Sequence, residues 1–122
     1  MALVLVVDDE PDIRELVRIN LEQAGHRVVT AADGDEALAS VRRESPDALF
    51  LDVRMPGTDG WAVLEELQAL PLEERPRVIV VSARTSLRDK AKAAELGADA
   101  FVTKPFNVDD LLVVLHDLER TA

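Results

Sequence analysis

Cysteine and tyrosine are absent from this 122-residue chain, and its aromatic residues are three Phe and one Trp. Without cysteine there is neither a disulfide framework nor a thiolate metal site, and a reducing cytosol is an adequate home, so a cytoplasmic setting is expected. Long hydrophobic runs are lacking too: no segment approaches a membrane span, and the apolar stretch near the N-terminus is too short for a signal peptide and has no basic flank. Positive charge is scarce. Lys and Arg number 14 against 24 Asp and Glu, a formal net charge of -10, and no basic stripe occurs, which argues against direct nucleic-acid binding. His26 and His116 have no partners at ligand or triad spacing and are assigned no chemistry. Repeats, linkers and low-complexity tracts are missing, and the length suffices for one core, so a single domain over residues 1–122 is expected.

What is present is a rhythm of strand-like and helix-like segments. Apolar runs of strand length fall near residues 2–7, 27–31, 48–52, 78–82 and 100–103. Their hydrophobicity is continuous rather than alternating, which predicts strands buried on both faces, as in a parallel sheet. Between and after them apolar residues recur at helical spacing: Ile13, Leu16, Val17 and Leu21; Ala37, Leu38 and Val41; Val63, Leu64 and Leu67; Leu87, Ala91, Ala94 and Leu96; and Val108, Leu111, Leu112, Leu115 and Leu118. Five strand-and-helix units predict a doubly wound α/β fold, a five-stranded parallel sheet with helices on both faces. Pro11 suits a first helical turn, Gly25 and Gly97 fall where the first and fourth helices should stop, and Pro71 and Pro76 bracket a polar turn. Trp61 is expected to pack at the start of the third helix.

Charge collects where the runs end. Leu3–Val7 gives way to Asp8 and Asp9, Ala48–Leu51 to Asp52, and Ala100–Thr103 to Lys104 and Pro105. In open α/β sheets, ligands bind beyond the carboxyl ends of the strands, where the strand order reverses. If these runs are neighbours, three carboxylates and one ammonium share a rim, which is costly unless a cation, an anion or a proton compensates them. Hard carboxylate oxygens with room for water suit Mg2+ better than Zn2+. Ser82, at the end of the fourth run, adds a hydroxyl.

Together these groups match the needs of a phosphoryl group on a carboxylate, because phosphoryl transfer asks mainly for positioning and charge neutralisation. Asp52 stands alone on its strand and is the candidate nucleophile, while Asp8 and Asp9 form a pair suited to metal. Each feature also has a plainer explanation. An Asp pair after a strand more often caps the next helix, which Asp9 or Asp12 could do here. Ser82 alone reads as a loop hydroxyl and Phe101 alone as core packing, and Asp59 and Gly60 read as turn and helix-start residues. With Asp52 and Lys104 in register, the balance turns toward chemistry.

Four motifs occur in order: Val7-Asp8-Asp9-Glu10; Leu51-Asp52-Val53-Arg54-Met55-Pro56-Gly57-Thr58-Asp59-Gly60; Val81-Ser82-Ala83; and Lys104-Pro105-Phe106. With these the chain resembles a bacterial response-regulator receiver domain over essentially its whole length. The resemblance implies a flavodoxin-like strand order 2-1-3-4-5, which the residues alone do not dictate. It implies that Asp52 accepts phosphate from the phosphohistidine of a histidine kinase or phosphotransfer protein. Mg2+ is then held directly by Asp9, Asp52 and the backbone carbonyl of Arg54, and by Asp8 through water. Ser82 is implied to hydrogen-bond a phosphoryl oxygen and swing inward, and Lys104 to pair with another such oxygen. Pro105 resembles the family's cis proline, and Phe101 its aromatic that turns inward behind Ser82. The surface of the fourth helix, fifth strand and fifth helix would then act on a downstream protein partner or output domain. Such a domain is no enzyme toward free substrates and catalyses only its own phosphorylation and dephosphorylation.

The chain also departs from relatives. Arg54 and Arg84 stand two residues after the phosphoacceptor and the hydroxyl residue, where an acid or amide can orient an attacking water. Guanidinium offers donors only and favours phosphoryl oxygens, so a long-lived phosphoryl group is expected. Val114 and Ala100 stand where winged-helix relatives carry a basic and an acidic residue for a salt-bridged dimer. An apolar contact including Val113, for a partner or for a phosphorylation-dependent homodimer, is expected instead. The rival function is a phosphorylation-independent adaptor on the same fold, which normally lacks part of the acid, hydroxyl and lysine set. Flavin or nucleotide binding is disfavoured by Asp-Asp-Glu-Pro in the first loop, where phosphate binding wants glycines and hydroxyls.

Overall fold

Each apolar run becomes a strand, the central ones buried on both faces and the two edge strands only in part. The computed structural model of the chain describes residues 2–55, 58–83 and 87–120. Strands β1 (Leu3–Val7), β2 (Arg27–Ala31), β3 (Ala48–Asp52), β4 (Arg77–Ala83) and β5 (Ala100–Lys104) form one parallel sheet in the order β2-β1-β3-β4-β5. All five residues of β3 are buried, as the centre of a covered parallel sheet requires. A short antiparallel pairing of Arg54–Met55 with Thr58–Asp59 follows β3.

Helices α1 (Pro11–Gln23) and α5 (Val108–Arg120) cover one face; α2 (Gly34–Glu44), α3 (Gly60–Gln68) and α4 (Leu87–Glu95) cover the other. On the first face Val17, Leu21, Leu111 and Leu115 pack on Val4, Val6, Phe50, Ile79 and Val81. On the second Ala37, Val41, Val63, Leu64, Leu67 and Ala93 pack on Leu5, Val7, Leu49, Leu51, Val78 and Val80. Alternate residues of one strand thus feed two cores, and each fully buried Leu or Val contributes about 1.5–3 kcal/mol. Among the described residues no helix is long and apolar enough to cross a membrane.

Local punctuation follows from residue chemistry. Pro11 occupies the first turn of α1, and Gly25 and Gly97 adopt φ of 96° and 86° just beyond α1 and α4. Asp59 caps α3 by accepting from the Trp61 backbone N–H at 3.0 Å. A Cβ on Gly60 would lie 2.5 Å from Val53 Cα, so glycine is what lets α3 begin against the end of β3. Asp9 does not cap α1. That position belongs to Glu10, whose side chain makes no capping bond.

Three expectations of the periodicity are corrected. The fourth helix does not turn Leu87, Ala91 and Ala94 inward; all three are exposed, Leu87 by 80%, and the buried residues are Asp89 and Ala93. Both faces have helical spacing, and polar contacts made by Asp89 select the one that hydrophobicity ranked lower. Leu16 is 47% exposed, since Val17 and Leu21 already fill the groove under α1. Val114 packs partly against the core rather than projecting as free apolar surface, while Val113 is 59% exposed.

Candidate functional site

Parallel registration brings distant strand ends level. Val7 pairs with Leu51, Asp52 with Val81, and Ser82 and Ala83 with Thr103 and Lys104. Asp8, Asp52 and Lys104 therefore converge at the carboxyl rim, at the switch point between β1 and β3. Asp8 and Asp52 are buried. The Lys104 ammonium bridges them, with Nζ 3.0 Å from Asp52 Oδ2, 3.2 Å from Asp8 Oδ2 and 3.8 Å from Glu10 Oε1. The remaining oxygens accept from the backbone: the Arg54 N–H donates to Asp52 Oδ1 and the Glu10 N–H to Asp8 Oδ1, both at 2.9 Å.

These contacts set the protonation behaviour. Burial raises the Asp52 pKa above the ordinary carboxylate value, and the nearby Asp8 charge adds to it; the Arg54 N–H and Lys104 oppose this without cancelling it. Burial pulls the Lys104 ammonium down, but hydrogen bonds and charges from Asp52 and Asp8 outweigh it, and its pKa stands above the ordinary value. The ammonium is therefore fixed as a cation between two acids.

Asp8, Asp9 and Glu10 bring carboxylate oxygens within 4.8 Å of one another. An all-oxygen donor set with Asp9 half-exposed fits a hard, partly hydrated cation such as Mg2+. The structure thus groups Asp9 with Asp8 and Glu10, whereas Asp52 is joined to Asp8 through Lys104. Glu10 lay inside the first motif with no role assigned.

The β4 side is organised by a residue that the sequence did not single out. Ser82 is buried, and its hydroxyl donates to Asp89 Oδ2. Arg54 reaches the same carboxylate as a fork, Nε to Oδ2 and Nη2 to Oδ1, both at 3.1 Å. Asp89 is itself buried, in the first turn of α4. The sequence signal for it is the spacing Asp89, Ala93 and Leu96, a helical face headed by an acid beside the more apolar one. Arg54, expected to favour phosphoryl oxygens, is here engaged by Asp89. Arg84 lies outside the described residues, as do Pro56 and Gly57. Phe101 pairs with Val80 and is half-buried against the core under α2, α3 and α4, and the Lys104–Pro105 peptide bond is cis.

The chain has counterparts among known proteins in sequence and in fold. Residues 4–116 match the family model of the response regulator receiver domain. The chain belongs to this family. The receiver is 44% identical over 120 residues to the transcriptional regulatory protein KdpE of Mycobacterium tuberculosis, an overlap of 98% of this chain and 52% of that one. It superposes on chemotaxis protein CheY4 of Vibrio cholerae with a TM-score of 0.87 and 34% identity, covering 96% of this chain and 98% of the other. The receiver domain of NtrX from Brucella abortus gives 0.89 and 37%, with 98% and 99% covered. The receiver spans about half the length of the curated relatives it matches, KdpE among them. Its fold is therefore the flavodoxin-like, doubly wound one of the chemotaxis receivers.

Proposed function

We propose that the receiver is a phosphorylation switch in which Asp52 takes a phosphoryl group from the phosphohistidine of a histidine kinase or phosphotransfer protein. An Asp52 oxygen bonds to phosphorus as the P–N bond breaks, and the electron pair of that bond stays on the imidazole nitrogen. The observation that carries this reading is the buried Asp52 carboxylate at the end of the central strand, 3.0 Å from the Lys104 ammonium. A nucleophile placed beside a fixed cation has counter-charge in position for the oxygens it acquires.

Asp9, Asp52 and the Arg54 carbonyl are the groups proposed to hold Mg2+ directly, with Asp8 acting through water. When bound, Mg2+ neutralises charge on the phosphoryl oxygens. Ser82 and Lys104 then bind phosphoryl oxygens, and Phe101 follows Ser82 inward. A hollow of about 330 Å³ beside Lys104, lined by Glu10, Ile13, Leu16, Pro105 and Phe106, offers the phosphate donor an apolar seat next to the site. The changed surface is that of α4, β5 and α5, where Leu87 and Val113 already stand exposed. It acts on a downstream partner or output domain in the cytoplasm, and a second copy of the receiver is one such partner.

Incubation with acetyl phosphate and Mg2+ should add one phosphate by intact mass to the native chain and none to Asp52→Asn. Absence of an Asp52-dependent gain returns the receiver to the adaptor reading.

A further inference from the structure

Among the described residues Ser82 and Arg54 are side-chain donors beside the phosphoacceptor on the β4 side, and both are held by one carboxylate in the first turn of α4. We propose that Asp89 is a positioning residue for phosphorylation, holding Ser82 and Arg54 in the resting arrangement and releasing Ser82 when Asp52 is phosphorylated. This rests on the reading of Asp52 as phosphoacceptor and goes beyond it.

The argument is one of proton count. A serine hydroxyl has a single hydrogen to donate. In the resting receiver that hydrogen goes to Asp89 Oδ2. If Ser82 donates to a phosphoryl oxygen, it must leave Asp89. The phosphoryl group brings about two negative charges and three acceptor oxygens, so it competes with Asp89 for the Arg54 guanidinium as well. Asp89 is 5% exposed, and a buried carboxylate that loses one of its donors is less well satisfied, which favours movement toward water or toward another donor. Asp89 lies on α4, so that movement reaches the surface of α4, β5 and α5 by a covalent route.

Linkage makes the coupling reciprocal: if phosphate weakens the hold of Asp89 on Ser82, that hold weakens phosphorylation. Asp89→Asn keeps the size of the side chain but removes its charge and one of its two acceptor oxygens, so it cannot take the Arg54 fork and the Ser82 hydroxyl together.

The test measures initial phosphorylation rates by intact mass with acetyl phosphate and Mg2+. The proteins are the native receiver, Asp89→Asn, Ser82→Ala and the double variant. The expected result is a rate about tenfold higher for Asp89→Asn, with most of that gain lost in the Ser82→Ala background. Hydrogen exchange of amides 91–95 should accelerate on phosphorylation of the native receiver and already be fast in unphosphorylated Asp89→Asn. Arg54→Met breaks the same fork from a side chain that is 63% exposed, so it serves if Asp89→Asn fails to fold, with faster exchange of amides 91–95 expected in the unphosphorylated variant and unchanged exchange overturning the role of the fork. Equal rates in native and variant receivers overturn the role of Asp89 alone, as does a gain undiminished by Ser82→Ala, which marks a general loosening of α4. No phosphate on the native receiver overturns the Asp52 reading, and this one with it.

Discussion

Around Lys104 one cation is shared by carboxylates from two strand ends and the start of α1; around Asp89 one carboxylate is shared by a hydroxyl from β4 and a guanidinium from the segment after β3. The two halves of the rim are mirror images in charge. On the Lys104 side acids outnumber the cation, Asp52 is left with a raised pKa, and the cluster is receptive to a further cation. On the Asp89 side two donors among the described residues share one acceptor, and a better acceptor would compete for them. In the proposed function one half is filled and the other released, and Arg54 touches both, through its backbone N–H to Asp52 and its side chain to Asp89.

The sharpest test of the Lys104 half is its removal. Lys104→Met leaves two buried carboxylates without their shared cation and should lower stability in the absence of divalent ions by about 3 kcal/mol, measured by urea denaturation. Added Mg2+ should restore part of the loss and bind several-fold more tightly than to the native receiver, because no ammonium competes for the carboxylates. If Mg2+ binds no more tightly, the ammonium and the metal do not share those oxygens. On the arginine side, Arg54→Asn/Arg84→Glu should lose radiolabelled phosphate several-fold faster than the native receiver, since an amide or acid can orient water and guanidinium cannot. An unchanged lifetime removes the arginines from that role.

A smaller effect is expected from pH. The folded-state pKa of Asp52 is raised, so between the ordinary carboxylate value of about 4 and the folded value the folded receiver binds more protons than the unfolded chain. The stabilising contribution of protonated Asp52 is complete below that window and is lost as pH rises through it. Melts without divalent ions should therefore show the native receiver losing ground to Asp52→Asn as pH rises from 4 to neutrality. The opposite slope would mean that Lys104 and the Arg54 N–H outweigh burial. The smallest effect separates the two faces of α4: Leu87→Gln should change stability by less than about 0.5 kcal/mol, as befits an exposed residue. A loss of core magnitude would place Leu87 inside.

Much of the Lys104 half was legible in the sequence. Asp8, Asp9, Asp52 and Lys104 each follow an apolar run, and a run buried in a parallel sheet ends at the same rim as its neighbours. The Asp89 half was not. Ser82 could be placed on the rim, but its partner sits in a helix whose more apolar face, Leu87 with Ala91 and Ala94, points to solvent. Hydrophobic spacing ranks faces by transfer energy, and here hydrogen bonds to one buried acid outweigh a leucine and two alanines.

The alternation of apolar runs and helical spacings determined the α/β class and the set of strand ends by itself, because burial acts on short, repeating patterns within each element. Which charges pair was decided only by the tertiary structure. Lys104 meets Asp8 across 96 residues and Arg54 meets Asp89 across 35. Local pattern does not encode contacts of that range; strand order and helix rotation create them.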